Sequence, residues 1–440
     1  MKTYFYELAD FVGARLQGSE QYQCWYSAEA SDFVRFNRSA IRQSGHVRQA
    51  ALTLHLINGR RHGSATAALA GHLEADSATI EQLIATLRAQ LPDLPEDPHL
   101  LVATEVHSTE FIEPSRLPEA AAIVDQVLRA ATGVDLVGIL AMGPMMRGFA
   151  NAAGQRNWHQ SATFNLGWSL YQSRDKAVKC AYAGSDWSSL EFAAKMQDAT
   201  TQLALLQRPP VTVKPGAYRA FLTPTALQEI IGMFNWDGLS EKSLRTHQSS
   251  LRRMRDDGVR LNPAITLCED TPGGVAPGFG ADGFIKPPRT ALIEQGVLTG
   301  SMISPRTAME YGLVNNGAGS GEAMVSMDLA GGTLPMANAL AELGTGIFVS
   351  NLWYLNFSDR ASCRITGMTR FATFWVEDGE IKAPLNVMRF DESVFRLLGD
   401  KLLALTTERE LLIDSDSWGE RANGSARLPG ALVKDFMFVL

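Results

Sequence analysis

The amino-acid sequence predicts an α+β protein with two domains and mixed or antiparallel sheets. Its 440 residues are enough for two or three domains of ordinary size. The run Arg208-Pro209-Pro210 interrupts a helical pattern and favours a domain boundary near residue 210. Fifteen of the 38 glycines lie between Gly273 and Gly346, which is typical of strands joined by tight turns. We therefore predict an N-terminal α+β domain over residues 1–208 and a strand-rich, glycine-rich C-terminal domain over residues 211–440.

The elements of the N-terminal half follow from the spacing of its apolar residues. From Phe5 to Leu16 this spacing is helical, whereas short alternating runs around Asn58-Gly59 indicate strands joined by a hairpin turn. In chain order we predict a helix over residues 5–16, an antiparallel sheet over 21–66, a helix capped by Asp76 or Ser77, a helix after Pro118, strands over 134–141, 147–151, 162–171 and 177–182, and a helix over 188–206. This order favours an α+β fold over a doubly wound sheet.

The overall composition excludes several classes of protein. With 45% hydrophobic residues, 20% charged residues and a net charge of −7, the chain is typical of a globular protein without a field that attracts nucleic acid or anionic lipid. Glu7 and Asp10 interrupt the first apolar pattern, so we expect no signal peptide, and no long apolar run predicts a membrane span. The four cysteines form no C-x-x-C pair. We expect a cytoplasmic protein that binds neither nucleic acid nor membranes.

Motifs known from other enzymes are weak in this sequence. Residues 278–283 match G-x-G-x-x-G, but the prolines on both sides favour a glycine-rich loop over a dinucleotide site. In residues 317–321 the serine does not stand at the central position that a G-x-S-x-G nucleophile elbow requires. The basic run over residues 252–255 precedes Asp256 and Asp257 and indicates a solvated helix face. Seven of the eight histidines precede residue 160 at irregular spacings, which predicts no multi-histidine metal site.

One helix carries the most informative polar residues. Thr223-Pro224 is typical of an N-cap followed by a proline in the first helical turn. The apolar positions that follow have helical spacing, and on this spacing alone the segment is an amphipathic core helix. Within it lie Gln228, Glu229, Gly232 and Met233.

Several short stretches, spread in order over most of the chain, together resemble one protein family. In the N-terminal half they are Phe33-Val34-Arg35-Phe36, Asn58-Gly59-Arg60, Val137-Gly138-Ile139 and residues 149–154. In the C-terminal half they are residues 296–300, residues 312–319, Ile365-Thr366-Gly367 and residues 374–381. This set resembles the TldD/PmbA family, in which PmbA is also called TldE. The resemblance implies a cytosolic peptidase component of a kind first described as a gyrase modulator.

The TldD branch of that family carries H-E-x-x-G-H on a helix, with two zinc-binding histidines, a glutamate as general base and a later cysteine as third ligand. Histidines five residues apart lie about 140° apart on a regular helix, and we attribute their convergence to the conformational freedom of the glycine. In this chain Glu229 and Gly232 keep their places, while Gln228 and Met233 occupy the histidine positions. Amide and thioether groups are poor zinc ligands.

The missing ligands place the chain, by this resemblance, in the PmbA (TldE) branch. Residues 416–440 contain no cysteine, and Cys363 lies in a different stretch. The resemblance implies a chain with no catalytic residue, no metal and no cofactor of its own, whose domain 211–440 carries a degenerate form of the zinc-peptidase helix. Zinc is expected instead in a TldD-like partner, which forms a heterodimer or larger heteromer with this chain. The pair is expected to act on unfolded peptides.

Two alternatives stay open at this point. The first is an autonomous metallopeptidase that uses Glu229 with metal ligands not recognised in the sequence, and metal analysis would distinguish it. The second is a homodimeric peptide-binding scaffold with no peptidase function, and co-purification with a TldD-like chain would distinguish that. The sequence also leaves open whether the isolated chain is a monomer or a homodimer.

Overall fold

The computed structural model describes residues 1–173 and 176–439. The described helices are α1 (Lys2–Gly13), α2 (Leu73–Gln90), α3 (Ala120–Ala130), α4 (Ser189–Leu205), α5 (Pro224–Gly232), α6 (Glu241–Arg245), α7 (Arg252–Asp256), α8 (Pro305–Tyr311), α9 (Ala339–Leu343) and α10 (Val394–Leu397). The described strands are β1 (Glu20–Asn37), β2 (Ala40–Asn58), β3 (Arg61–Ala68), β4 (Thr109–Ile112), β5 (Asp135–Asn151), β6 (Arg156–Ser173), β7 (Lys176–Gly184), β8 (Gly216–Leu222), β9 (Leu267–Asp270), β10 (Arg289–Glu294), β11 (Val297–Leu298), β12 (Ser326–Leu329), β13 (Gly346–Asp359), β14 (Arg364–Glu377), β15 (Glu380–Pro384), β16 (Arg389–Ser393), β17 (Leu402–Ile413) and β18 (Ser425–Phe438).

The strands β1 to β7 form one sheet of the N-terminal half. Its order is β3-β2-β1-β5-β6-β4, and β7 pairs with the other end of β6. The pairs are antiparallel except for β4 with β6, so this sheet is mixed. Helices α1 to α4 cover one face, because apolar residues of β6 such as Trp158, Phe164 and Trp168 point towards them and are buried. This packing confirms the predicted α+β class for the N-terminal half.

The opposite face of β6 is polar and is nevertheless buried. Asn165 donates a hydrogen bond of 2.8 Å to the carbonyl oxygen of Ile413, and Gln155 donates one of 2.7 Å to that of Gly283. Both acceptors belong to the C-terminal half, so the two halves of the chain meet across this face. The buried polar residues of this face of β6 are Asn157, His159, Ser161, Thr163 and Asn165, and the buried Gln155 lies just before the strand.

The buried imidazole of His159 should make the free energy of unfolding depend on pH. Burial, and then the positive charges of Arg147 and Lys286, lower the pKa of His159 from 6.5 to about 4, although a hydrogen bond with the Val275 backbone opposes this shift. The unfolded chain therefore binds more protons than the folded chain below about pH 6.5, and stability falls as the pH drops towards 4. In the His159→Gln variant we expect the slope of the unfolding free energy against pH to be smaller by up to about 1.4 kcal/mol per pH unit. Urea unfolding at several pH values measures it.

The control for this measurement is His46→Gln, since His46 lies on β2 with an exposed side chain. The slope of stability against pH should therefore change more in His159→Gln than in His46→Gln. Equal slopes for His159→Gln and the wild-type chain would contradict the prediction.

The second sheet, of eleven strands, occupies residues 216–438 and closes partly on itself. Its order is β11-β10-β9-β12-β18-β16-β14-β13-β8, and β8 pairs in addition with β18. The strands β18, β16, β14, β13 and β8 therefore form a ring. Helix α5 packs its buried face into the core of this half through Leu227, Ile230 and Ile231. The ring thus fixes the position of the helix that the sequence singled out.

A loop between β17 and β18, residues 414–424, connects the two halves through a buried arginine. Arg421 donates hydrogen bonds to the hydroxyl oxygen of Thr163 at 2.8 Å, to the carbonyl oxygen of Gly143 at 3.1 Å and to the hydroxyl of Ser31 at 3.3 Å. Burial lowers the pKa of Arg421 to about 10, and the charge of Glu29 partly offsets this effect. The loop is therefore held against the first sheet by a charged group within the fold.

Three predicted boundaries in the N-terminal half are wrong. The hairpin turn is Gly59-Arg60 instead of Asn58-Gly59, because Asn58 pairs with Arg61 and only Gly59 of these two turn residues has a positive φ, of 64°. The predicted strands 134–141 and 147–151 are one strand, β5, since pairing with β6 continues through Gly143 and Pro144. The first helix ends at Gly13 and not at Leu16.

The predicted start of the second helix is also wrong. Helix α2 begins at Leu73, and His72 is its N-cap, with a side chain that accepts a hydrogen bond from the Ala75 amide. Asp76 instead accepts hydrogen bonds from the amides of residues 70–72 and from the Tyr4 hydroxyl. A carboxylate in the first helical turn thus stabilises the preceding loop.

Other interpretations of the sequence agree with the fold. Residues 278–283 lie in a loop, and the predicted helix over residues 188–206 is α4, which spans Ser189–Leu205. The basic run 252–255 lies on α7. Within residues 1–173 and 176–439, no helix has the length and apolar character needed to cross a membrane. The division into domains 1–208 and 211–440 stays a prediction.

Candidate functional site

A cleft of about 510 Å³ lies between the two halves of the chain, beside helix α5. It is lined by all four residues that the sequence analysis placed at the motif positions, namely Gln228, Glu229, Gly232 and Met233. Strands of the first sheet form the opposite wall, and the start of β18 with the end of β17 forms the floor. The residues contributed by these other elements include Asn165, Lys179, Cys180, Leu412, Ile413 and Ser425.

The local sequence explains why α5 presents these residues to the cleft. Thr223 caps the helix: its hydroxyl oxygen accepts a hydrogen bond of 3.2 Å from the Ala226 amide and donates one of 2.6 Å to the Ser350 carbonyl. Pro224 occupies the first helical position, where its missing N–H costs nothing. Because the apolar face of the helix is buried, the intervening polar positions 228 and 229 face the cleft.

Glu229 is the only motif residue that is ionisable. Its side chain is exposed to the cleft, yet the cleft walls displace part of its water, and this desolvation raises its pKa. The positive charge of Lys179, on the opposite wall, partly offsets this shift. A carboxyl group with a raised pKa can donate or accept a proton near neutral pH more readily than an ordinary glutamate.

Sequence reasoning did not find the residues on the opposite wall. Lys179 and Cys180 lie on β7, and Asn165 lies on β6, all more than 40 residues before the motif helix. No motif spacing connects them with Glu229, so no signal in the sequence could have joined them. Burial raises the pKa of Cys180 to about 12, which keeps its sulfur a neutral thiol and a poor metal ligand or nucleophile.

Gly232 does not use the conformational freedom that we attributed to this motif position. Its backbone angles, φ −56° and ψ −28°, are those of a right-handed helix. A Cβ atom built at this residue meets no atom within 4 Å. The helix changes to a 3₁₀ turn over Met233–Asn235, and both Gln228 and Met233 still reach the cleft. Distortion at the glycine is therefore not needed in this chain.

The donor groups of this cleft do not fit a zinc ion. Gln228 offers an amide oxygen, Met233 is a buried thioether, and Glu229 is the sole charged donor on the helix. Asp414 and Cys180 also line the cleft. However, no three histidine, cysteine, aspartate or glutamate residues within 1–173 and 176–439 lie close enough together to hold a metal ion.

Comparison with known families identifies the C-terminal half. Residues 215–439 match the model described as "PmbA/TldA metallopeptidase C-terminal domain". The chain belongs to the PmbA/TldD family. The match includes α5, so the family's own pattern covers the helix that lines the cleft. Among curated proteins no sequence matches this chain.

Solved structures extend the fold of the PmbA/TldD family to the whole chain. TldE from Thermococcus kodakarensis has a TM-score of 0.80 and 15% identity, with 99% of this chain and 100% of that chain covered. A Thermotoga maritima protein, described as a proposed modulator of a DNA gyrase, has a TM-score of 0.76 and 14% identity over 99% of this chain and 100% of that one. A Bacteroides thetaiotaomicron protein described in similar words has a TM-score of 0.73 and 15% identity over 99% and 98%. At these identities the likeness shows the shared fold.

Proposed function

We propose that this chain is a PmbA/TldE-like, non-catalytic subunit of a cytoplasmic metallopeptidase complex that acts on unfolded peptides. The zinc ion of this complex lies in a TldD-like partner. The observation that carries the proposal is the cleft beside α5, which Gln228, Glu229, Gly232 and Met233 all line. We interpret these residues as the four places of the zinc motif, with Gln228 and Met233 instead of its histidines. On this interpretation the chain keeps the helix of a metallopeptidase site but lacks its metal ligands.

The lining of the cleft supports binding of an extended peptide. Polar groups such as Gln228 and Lys179 can bind the backbone of a peptide, while Leu355 and Leu412 offer apolar contacts. A subunit that holds a substrate strand beside a metal in the neighbouring chain lowers the barrier by orientation alone, with no reacting group of its own.

The heteromer gives the direct test. We expect the isolated chain to be inert towards unfolded peptides, and its mixture with a TldD-like partner to cleave them faster than that partner does alone. Co-expression followed by sizing and a peptide-cleavage assay measures both properties. Equal cleavage with and without this chain, at concentrations where sizing shows a complex, would refute the proposal.

A variant that fills the cleft sharpens this test. Gly232→Phe places a large side chain where the structure leaves open space, so the fold should tolerate it, and cleavage by the complex should fall by about tenfold or more. Gly45→Phe is the matched control, because Gly45 on β2 is also free of neighbours within 4 Å but lies outside the cleft.

Metal content separates this proposal from an autonomous metallopeptidase. We expect well under one zinc ion per purified chain after dialysis, because the donors beside Glu229 are an amide and a thioether. We also expect Glu229→Gln to fold normally and to leave unchanged any background cleavage by the isolated chain. Stoichiometric, tightly held zinc, or cleavage by the isolated chain that Glu229→Gln abolishes, would favour the autonomous enzyme.

A further inference from the structure

A row of hydrogen-bonded side chains crosses strands β3, β2 and β1, and none of them lines the cleft. It begins at Asp97, whose Oδ2 lies 3.2 Å from His62 Nε2. His62 Nδ1 lies 2.8 Å from His55 Nε2, and His55 Nδ1 lies 3.0 Å from Gln23 Oε1. The row ends where Gln23 Nε2 donates to the carbonyl oxygen of Asp282 at 3.4 Å. It therefore has four links between five residues.

Both ends of the row can only accept hydrogen bonds. At one end the acceptor is a backbone carbonyl oxygen. At the other end burial opposes ionisation of Asp97, but the His99 amide and the Arg306 guanidinium outweigh it and lower the pKa of Asp97 to about 2. This carboxylate is therefore ionised and carries no hydrogen at neutral pH.

The three groups between these ends supply too few hydrogens. Each link needs one hydrogen between its two atoms, a neutral imidazole carries one N–H, and an amide can donate along the row in one direction only. Neutral His62, His55 and Gln23 thus supply three hydrogens for the four links. Turning the Gln23 amide around moves the unfilled link to Asp282 but does not remove it.

We propose that His55 and His62 together bind one proton in the folded chain, and that this proton ties the first sheet to the C-terminal half. With the extra proton, His62 donates to Asp97 and to His55, His55 donates to Gln23, and Gln23 donates to Asp282. Every link is then filled. The charge resides on His62, since burial and the charge of His62 lower the pKa of His55 to about 4.

The surroundings favour a proton over a metal ion. The two inner nitrogens are 2.8 Å apart, a hydrogen-bond length, whereas two imidazoles on one tetrahedral zinc ion are about 3.3 Å apart. The charged groups that face the pair are the Asp97 carboxylate, with Arg306 behind it, and the Asp282 carboxyl. Burial raises the pKa of Asp282, and the charge of His62 partly offsets that shift.

Because the histidine pair loses this proton as the pH rises, the contact between the two halves should weaken at higher pH. Asp282 belongs to the glycine-rich loop and Arg306 to α8, so both ends of the row are anchored in the C-terminal half. Loss of the proton leaves one of the four links without a hydrogen. The loop over residues 278–286 should then open more often.

The proton can be counted directly on the full chain. We would label the histidines with ¹⁵N, follow their ring nitrogens by NMR from about pH 5 to 9, and assign the signals with His55→Gln and His62→Gln variants. We expect a His62 ring with both nitrogens protonated alongside a neutral His55 ring protonated at Nδ1. Two neutral rings at about pH 6, a His55 ring protonated at Nε2 alone, or a metal retained by the two rings would overturn the proposal.

Hydrogen exchange of residues 278–286 gives an independent measurement on the wild-type chain. After correction for the intrinsic rate, we expect exchange to be about two- to tenfold faster at pH 8 than at pH 6, the change that one hydrogen bond produces. His62→Gln should abolish this difference, while His46→Gln, on the exposed part of β2, should retain it. The same pH dependence in His62→Gln and in the wild-type chain would overturn the proposal.

Discussion

Replacement of Arg421 by methionine should lower the free energy of unfolding by about 3 kcal/mol, the cost of removing one partner from a buried charged network. The guanidinium is 4% exposed and donates to Ser31, Gly143 and Thr163. Methionine has a similar length but no donor, so the acceptors on the first sheet stay buried without a partner. Glu29, which is 2% exposed, also loses a neighbouring positive charge.

A matched surface variant separates this effect from the loss of any ion pair. Arg360 has a side chain that is 39% exposed and lies 3.4 Å from Asp237, so Arg360→Met should cost less than about 1 kcal/mol. Urea unfolding of the two variants and the wild-type chain gives the comparison. An Arg421→Met variant as stable as Arg360→Met would show that the 414–424 loop does not hold the halves together.

Substitution of Gly143 by alanine should destabilise the chain by at least about 2 kcal/mol. Gly143 lies within β5 with a φ of 135°, a backbone conformation that L-residues rarely adopt. A Cβ atom there would lie 2.2 Å from the carbonyl oxygen of Ala30 on the neighbouring strand. Since the clash is with backbone, only a shift of one strand against the other can relieve it.

Gly232→Ala is the matched control for this substitution, because the chemical change is the same. Gly232 has helical backbone angles and open space around the new methyl group, so the variant should equal or exceed the wild-type stability by up to about 1 kcal/mol. Thermal unfolding of both variants provides the measurement. A similar loss of stability at both positions would contradict this account of Gly143.

Local pattern in the sequence predicted the type of the long elements in the N-terminal half but not all of their ends. The predicted helix over residues 188–206 matches α4 within a residue at either end, because helical periodicity acts over neighbouring residues. The second helix began earlier than predicted because Asp76 bonds to a preceding loop and to Tyr4, 72 residues away in the chain. A local rule cannot distinguish a cap from a carboxylate with distant partners.

The residues of the candidate site also divide into those that the sequence predicted and those that it did not. The sequence identified α5 and the four motif positions, since these residues are neighbours on one helix. It did not predict Lys179 or Asn165, which reach the cleft of Glu229 only because the first sheet packs against the C-terminal half. Family membership likewise followed from short sequence stretches that occur in the family's order along the chain. The shape of the cleft depends instead on how the two halves are oriented.

By itself the sequence determined the fold class, the main helices and strands of the N-terminal half, and the family, while the replacement of zinc ligands by Gln228 and Met233 stays a prediction. The tertiary structure alone decided which polar residues are buried together. The alternation of polar and apolar residues along β6 predicts that its polar face meets solvent. In the structure the C-terminal half covers that face, and Arg421 donates a hydrogen bond to Thr163 there. The physical reason is that periodicity records which side a residue faces, whereas packing of distant segments determines whether that side meets water or protein.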